Sequence, residues 1–158
     1  MTQHQPALDP NGVGRICQII ASALMAGVMI FAGVAFFIAK GDGPQLPMLS
    51  LMAVGFAGVA TVMRFVVPMV IVNGGKRQLN QSSGDEQRSL LAGLYQTKMI
   101  VGMAVLEGAA FFNLVAYITE KQFWSYGVVA FLLGVMAISF PSQGQFESWA
   151  EEMKRDLN

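Results

Sequence analysis

The stretch Ile16-Cys-Gln-Ile-Ile-Ala-Ser-Ala-Leu-Met-Ala-Gly-Val-Met-Ile-Phe-Ala-Gly-Val-Ala-Phe-Phe-Ile-Ala39 runs for 24 residues without a charge. About 20 apolar residues in a helix span a hydrocarbon core roughly 30 Å thick, so this run is long enough to cross a bilayer. The core of a cleaved signal peptide is shorter, usually about 7–15 residues behind a basic region. Here only Arg15 leads into the run, which therefore reads as a retained span.

Three more runs follow. Met48 to Val72 is interrupted only by Arg64 and Pro68, and Tyr95 to Ile118 carries Lys98 near its start and Glu107 near its middle. Phe123 to Phe140 is shorter and uncharged. Barrel strands would be about ten residues long and alternate in polarity, which none of these runs does. Helices are the remaining way to satisfy the backbone in lipid. The expectation is an all-α fold with four transmembrane helices at about 16–39, 48–72, 95–118 and 123–140. They form one domain over 15–140, between a polar leader at 1–14 and a tail at 141–158.

Composition agrees. Of 158 residues 54% are hydrophobic and 13% charged, about half the charge of an ordinary soluble domain. Ten basic and ten acidic side chains cancel, so nothing favours nucleic acid as a partner. The single cysteine, Cys17, excludes an internal disulfide and reads as a small hydrophobe. The single histidine, His4, stands in the polar leader away from any Cys or carboxylate cluster, so no metal site is expected. No His, Cys or Ser constellation with acid–base partners falls inside the spans, and neither an enzyme nor a cofactor is expected.

The connectors suit four crossings. Lys40-Gly-Asp-Gly-Pro-Gln-Leu-Pro47 reads as a polar turn. Asn73-Gly74-Gly75 reads as the end of the second span, and 76–88 as the longest polar connector. Thr119 to Gln122 is short enough to force a tight hairpin between spans three and four. With an even number of spans, Arg15, Lys76, Arg77, Arg88, Lys154 and Arg155 share one side, against Lys40 and Lys121 on the other. That bias places both termini in the cytoplasm, and Trp124 and Tyr126 at the outer interface.

The two hairpins resemble each other. Gly27 to Phe37 aligns without a gap on Gly102 to Phe112, and the same offset matches Ser50 with Ser125, Val54 with Val129 and Phe56 with Phe131. Two readings stand: a parallel duplication, or chance among few apolar residue types. Ala32 would then take the place of Glu107.

Glu107 is the first candidate for function. It lies about 12 residues from either end of its span, where an ionised side chain costs about 2.5–3.5 kcal/mol on insertion scales. It must be protonated, paired or turned to a polar cavity. Arg64, roughly 6 Å to the cytoplasmic side of its own span's centre, is the expected partner. Pro68 leaves the Arg64 carbonyl without its helical donor, and Asn113 could join from span three. The pair reads as a structural ion pair, as a proton or cation site at Glu107, or as one charge facing water in an oligomer. Lys98, near the cytoplasmic end, can snorkel to the headgroups. Ala53, Ala57, Gly58 and Thr61, and Ser22, Ala26, Gly27 and Gly33, read as close-approach faces.

In the tail, Phe146, Trp149, Ala150, Met153 and Leu157 share one helical face. This amphipathic helix is expected either in the cytoplasmic interface or on a partner. Four acidic and two basic side chains follow Pro141, so attraction to anionic lipid does not drive it.

Gly102-Met-Ala-Val-Leu-Glu107-Gly-Ala-Ala with Leu114-Val115 locally resembles the carboxylate helix of ATP synthase proteolipid subunit c. That resemblance implies a proton- or sodium-binding role for Glu107. The preceding span lacks that family's alternating glycines, and Arg64 has no counterpart there. Across the chain, Leu94-Tyr-Gln-Thr-Lys98, Leu106-Glu-Gly-Ala-Ala-Phe-Phe-Asn113 and Phe140-Pro-Ser-Gln-Gly-Gln-Phe-Glu-Ser-Trp149 resemble a family of bacterial four-span integral membrane proteins with no assigned activity. The likeness implies an inner-membrane location. The expected role is structural or accessory, with lipid and either a second copy or another membrane protein as partners. The alternatives are a proton or cation conducting element using Glu107, or a small transporter.

Overall fold

The computed structural model describes residues 10–39, 46–79, 81–82, 84–141 and 143–157. His4 and Lys40, with the rest of the leader's first nine residues and the turn at 40–45, lie outside the described residues. Five helices follow in order: α1 (Pro10–Ile38), α2 (Met48–Leu79), α3 (Asp85–Glu120), α4 (Trp124–Ile138) and α5 (Gln143–Leu157). No strand forms among the described residues. The all-α reading holds.

α1, α2 and α3 are long and apolar enough to cross a membrane. α4 has 15 residues, about 22 Å at 1.5 Å per residue, and is shorter than the expected 123–140. Pro141 accounts for its end, since the residue before a proline is pushed out of the helical region. α4 finishes beside the start of α1, where the Gln18 side-chain amide donates to the Pro141 carbonyl at 3.0 Å.

α3 is the central helix. Its most extensive packing is with α2, followed by α1 and α4, whereas α1 and α2 make at most a marginal contact among the described residues. Only a narrow stripe of its membrane half, Ala104, Gly108, Val115 and Thr119, is exposed. α1 offers the core a thin seam, Ala21, Val28 and Ala35, spaced by seven residues. α2 contributes the small residues Ala53, Ala57 and Ala60, which let two backbones approach closely. The opposite faces of α1 and α2 expose large apolar groups, including Ile30 at 69% and Phe65 at 68%. Contiguous apolar faces of this kind suit lipid and not water.

Several expectations need correction. α2 does not end at Asn73-Gly74-Gly75 but runs on to Leu79, and α3 begins at Asp85 inside the presumed connector. Gly75 serves the approach of the two helices: a Cβ there would stand 2.5 Å from Leu94 Cδ1. Leu79 and Leu91 close the contact beyond it with Met153. Of the expected close-approach residues, Ala53 and Ala57 are buried, while Ser22, Gly33 and Gly58 face outward.

The hairpins do not repeat each other in packing, because α3 and α4 pack extensively whereas α1 and α2 make at most a marginal contact among the described residues. Ser50 and Ser125, matched by the alignment, are nevertheless both fully buried. The α3–α4 turn is tight, as its length requires. Lys121 takes a left-handed conformation at φ 55° and its N–H bonds the Tyr117 carbonyl. Tyr126 does not simply float at an interface: its hydroxyl donates to the Ala32 carbonyl at 2.7 Å and ties α4 to α1.

α5 is amphipathic, but its apolar face docks on the chain itself. Trp149 packs on Tyr95 with ring centroids 5.5 Å apart and planes tilted by 47°, and joins a cluster with Val13, Cys17 and Ala92. Met153 is buried against Leu79 and Leu91. The side chains of Phe146 and Leu157 lie outside the described residues.

Candidate functional site

At 3.6 residues per turn each residue advances about 100° around a helix. On α3, Lys98, Gly102, Asn113 and Glu120 therefore fall within roughly 40° of one line, and this line faces α2. Glu107 lies about 140° away from Gly102.

Arg64 meets the α2-facing line. A Cβ on Gly102 would stand 3.9 Å from Arg64 Cγ and 4.0 Å from the Arg64 carbonyl oxygen. That carbonyl is the one Pro68 deprives of a helical donor. Pro68 is buried inside an unbroken α2. Glycine at 102 thus makes room for the arginine stem and for the backbone beside it.

Glu107 meets α1 instead. A Cβ on Gly27 would stand 3.6 Å from Glu107 Oε1 and 3.9 Å from Phe111 Cζ. Phe111 packs edge-on against Phe31 of α1 at 5.2 Å. The carboxylate is half-buried beside these rings.

The expected ion pair is not formed. Arg64 packs beside Gly102 and Glu107 beside Gly27, so α3 itself stands between the two groups. The offset in depth was compatible with pairing, but the helical angle was not.

Asn113 does not support Glu107 either. It is fully buried, and its Nδ2 donates to the Ala53 carbonyl of α2 at 3.0 Å and to the Ala109 carbonyl at 2.9 Å. Its Oδ1 finds no donor among the described residues. The amide clamps α3 to α2.

One polar residue escaped the sequence reading. Glu120, 5% exposed at the end of α3, accepts hydrogen bonds from the backbone N–H groups of Leu49 at 2.5 Å and Ser50 at 2.7 Å. These are among the orphan donors at the start of α2, where a negative charge also meets the positive end of the helix dipole. The seven-residue step from Asn113 to Glu120 was the available signal.

Toward the end shared by the α2–α3 loop and α5 lies a cleft of about 500 Å³. Arg64, Pro68, Lys98, Gly102 and Trp149 line it, and Lys98 Nζ sits 5.3 Å over the Trp149 ring. The arrangement offers two cations in an apolar cleft, and a separate carboxylate on the far flank of α3. Among the described residues no group of three His, Cys, Asp or Glu side chains could hold a metal ion.

No protein-family model, curated protein or solved structure matches this chain.

Proposed function

We propose that this chain is a multi-pass protein of the bacterial inner membrane with a structural or accessory role, both termini facing the cytoplasm. The observation that carries this reading is how the polar groups of α3 are used. Asn113 and Glu120 spend their hydrogen bonds on the α2 backbone, as residues do when they fix helix order. Four crossings are supported by the contact of Gln18 with Pro141. That contact brings the end of α4 back to the level at which α1 begins. The exposed apolar faces of α1 and α2 suit lipid, a second copy or another membrane protein.

A second reading keeps Glu107 as a proton or cation site. Its carboxylate stands mid-span without a cationic partner among the described residues, as a titrating site would. A hydrophobic carbodiimide and proteoliposomes separate the two. The structural reading expects slow, pH-independent modification and equal proton flux from wild type and Glu107→Gln. Rapid modification that falls as pH rises, with flux lost in Glu107→Gln, would establish the second.

A further inference from the structure

We propose that the cleft between α2, α3 and α5 binds an anionic phospholipid of the cytoplasmic leaflet, its phosphate held by Arg64 and Lys98. The proposal rests on the membrane reading above and adds a ligand to it.

The cations come first. Lys98 lies one turn before Gly102, and Gly102 touches Arg64, so the two are about 6 Å apart along the helix axis. Both line the same cleft. Arg64 has no acidic partner among the described residues. Lys98 is held over Trp149, and Glu152 is the acid that acts on it. Apolar walls desolvate both cations, and an anion between them offsets that cost. Five guanidinium and three ammonium donors match the oxygens of a phosphate.

The walls decide which anion. Phe65, Met69 and Val72 of α2 line the cleft, and Phe65 and Met69 are exposed on the outer face of the bundle. The cleft therefore opens sideways, toward acyl chains. A free phosphate would use the cations and leave this lip idle, whereas a phospholipid uses both. Depth agrees as well. Lys98 lies roughly 13 Å from the centre of its span and Gly102 roughly 7 Å, against a hydrocarbon half-thickness of about 15 Å. Lys98 meets a headgroup near its ordinary level, and Arg64 reaches it from one turn deeper. Basic pockets between helices on the cytoplasmic side suit anionic headgroups.

Trp149 supplies the probe. In a Trp124→Phe chain it is the only tryptophan, and lipids brominated on their acyl chains quench it on contact. In mixed vesicles, brominated phosphatidylglycerol should associate roughly tenfold more strongly than brominated phosphatidylcholine. The preference should fall partway in Lys98→Gln and to about unity in Arg64→Gln/Lys98→Gln. Arg88→Gln, exposed and outside the cleft, should keep it. Equal quenching by the two lipids in the unaltered cleft would overturn the site, and this comparison needs no cleft variant to fold. Displacement of the brominated phosphatidylglycerol by millimolar inorganic phosphate would also overturn it, by showing a site for a free anion. Trp124 in a Trp149→Phe chain reports embedding separately. Its quenching by neither lipid would contradict the membrane reading itself.

Discussion

Arg64 and Glu107 stand on opposite flanks of α3, the first against Gly102 and the second against Gly27. Two ionisable groups of the long apolar helices are thus held apart by the helix that carries one of them. Their contributions to stability should be independent. Arg64→Gln, Glu107→Gln and the double variant are expected to show additive shifts in unfolding free energy, within about 0.5 kcal/mol. Coupling well above that in a detergent unfolding cycle would mean the two groups meet.

Gly74 and Gly75 should respond in opposite directions. A Cβ at Gly75 would stand 2.5 and 2.7 Å from the Leu94 methyls and 3.2 Å from Leu94 Cγ, while among the described residues nothing lies within 4 Å of one at Gly74. Gly75→Ala is expected to cost about 1–3 kcal/mol by overpacking, and Leu94→Ala in the same chain should recover part of it. Gly74→Ala should stabilise by about 0.5–1 kcal/mol through helix propensity. Thermal unfolding of the three variants decides the matter.

Glu120→Ala removes both acceptors from the start of α2, leaving the N–H groups of Leu49 and Ser50 without this carboxylate. Glu120→Gln keeps one acceptor of the same reach. The melting midpoint should therefore fall in the order wild type, Gln, Ala. Backbone amide exchange at residues 49 and 50 should rise in the same order. An alanine variant as stable as the glutamine one would remove the capping role.

Much of this fold was legible because lipid imposes a length: uncharged runs near 20 residues have few interpretations. The helix ends were not. Glycine pairs end helices when nothing packs on them, and Gly75 stays helical because Leu94 fills the space beside it. The polar segment from Asp85 joins α3 because Leu90, Leu91 and Leu94 place apolar groups against α2 and α5. In the candidate site, depth could be read from the spans, and depth alone suggested the Arg64–Glu107 pair. Which flank each charge occupies depends on α3 separating α1 from α2, and that order is a tertiary fact. Glu120 was hidden for the same reason, since its acceptor role needs the start of another helix beside it.

The docking of α5 carries its own expectation. Trp149 is packed on Tyr95 and Met153 is buried with Leu79 and Leu91, so the bundle itself holds the tail. Trp149→Ala should raise proteolytic cleavage within 143–157 several-fold in detergent and in vesicles alike. Protection that appears only when lipid is present would assign the helix to the membrane surface.

α3 lies at the centre of a helical bundle whose α1 and α2 carry exposed apolar outer faces suited to lipid. Spin labels on single cysteines, in a Cys17→Ser background, test it through collision with oxygen and with a water-soluble nickel complex. Labels at Val59 and Val66 of α2 should collide freely with oxygen and scarcely with nickel, while a label at Ala109 of α3 should meet neither. Strong nickel accessibility at Val59 and Val66, or oxygen accessibility at Ala109 equal to theirs, would contradict the account.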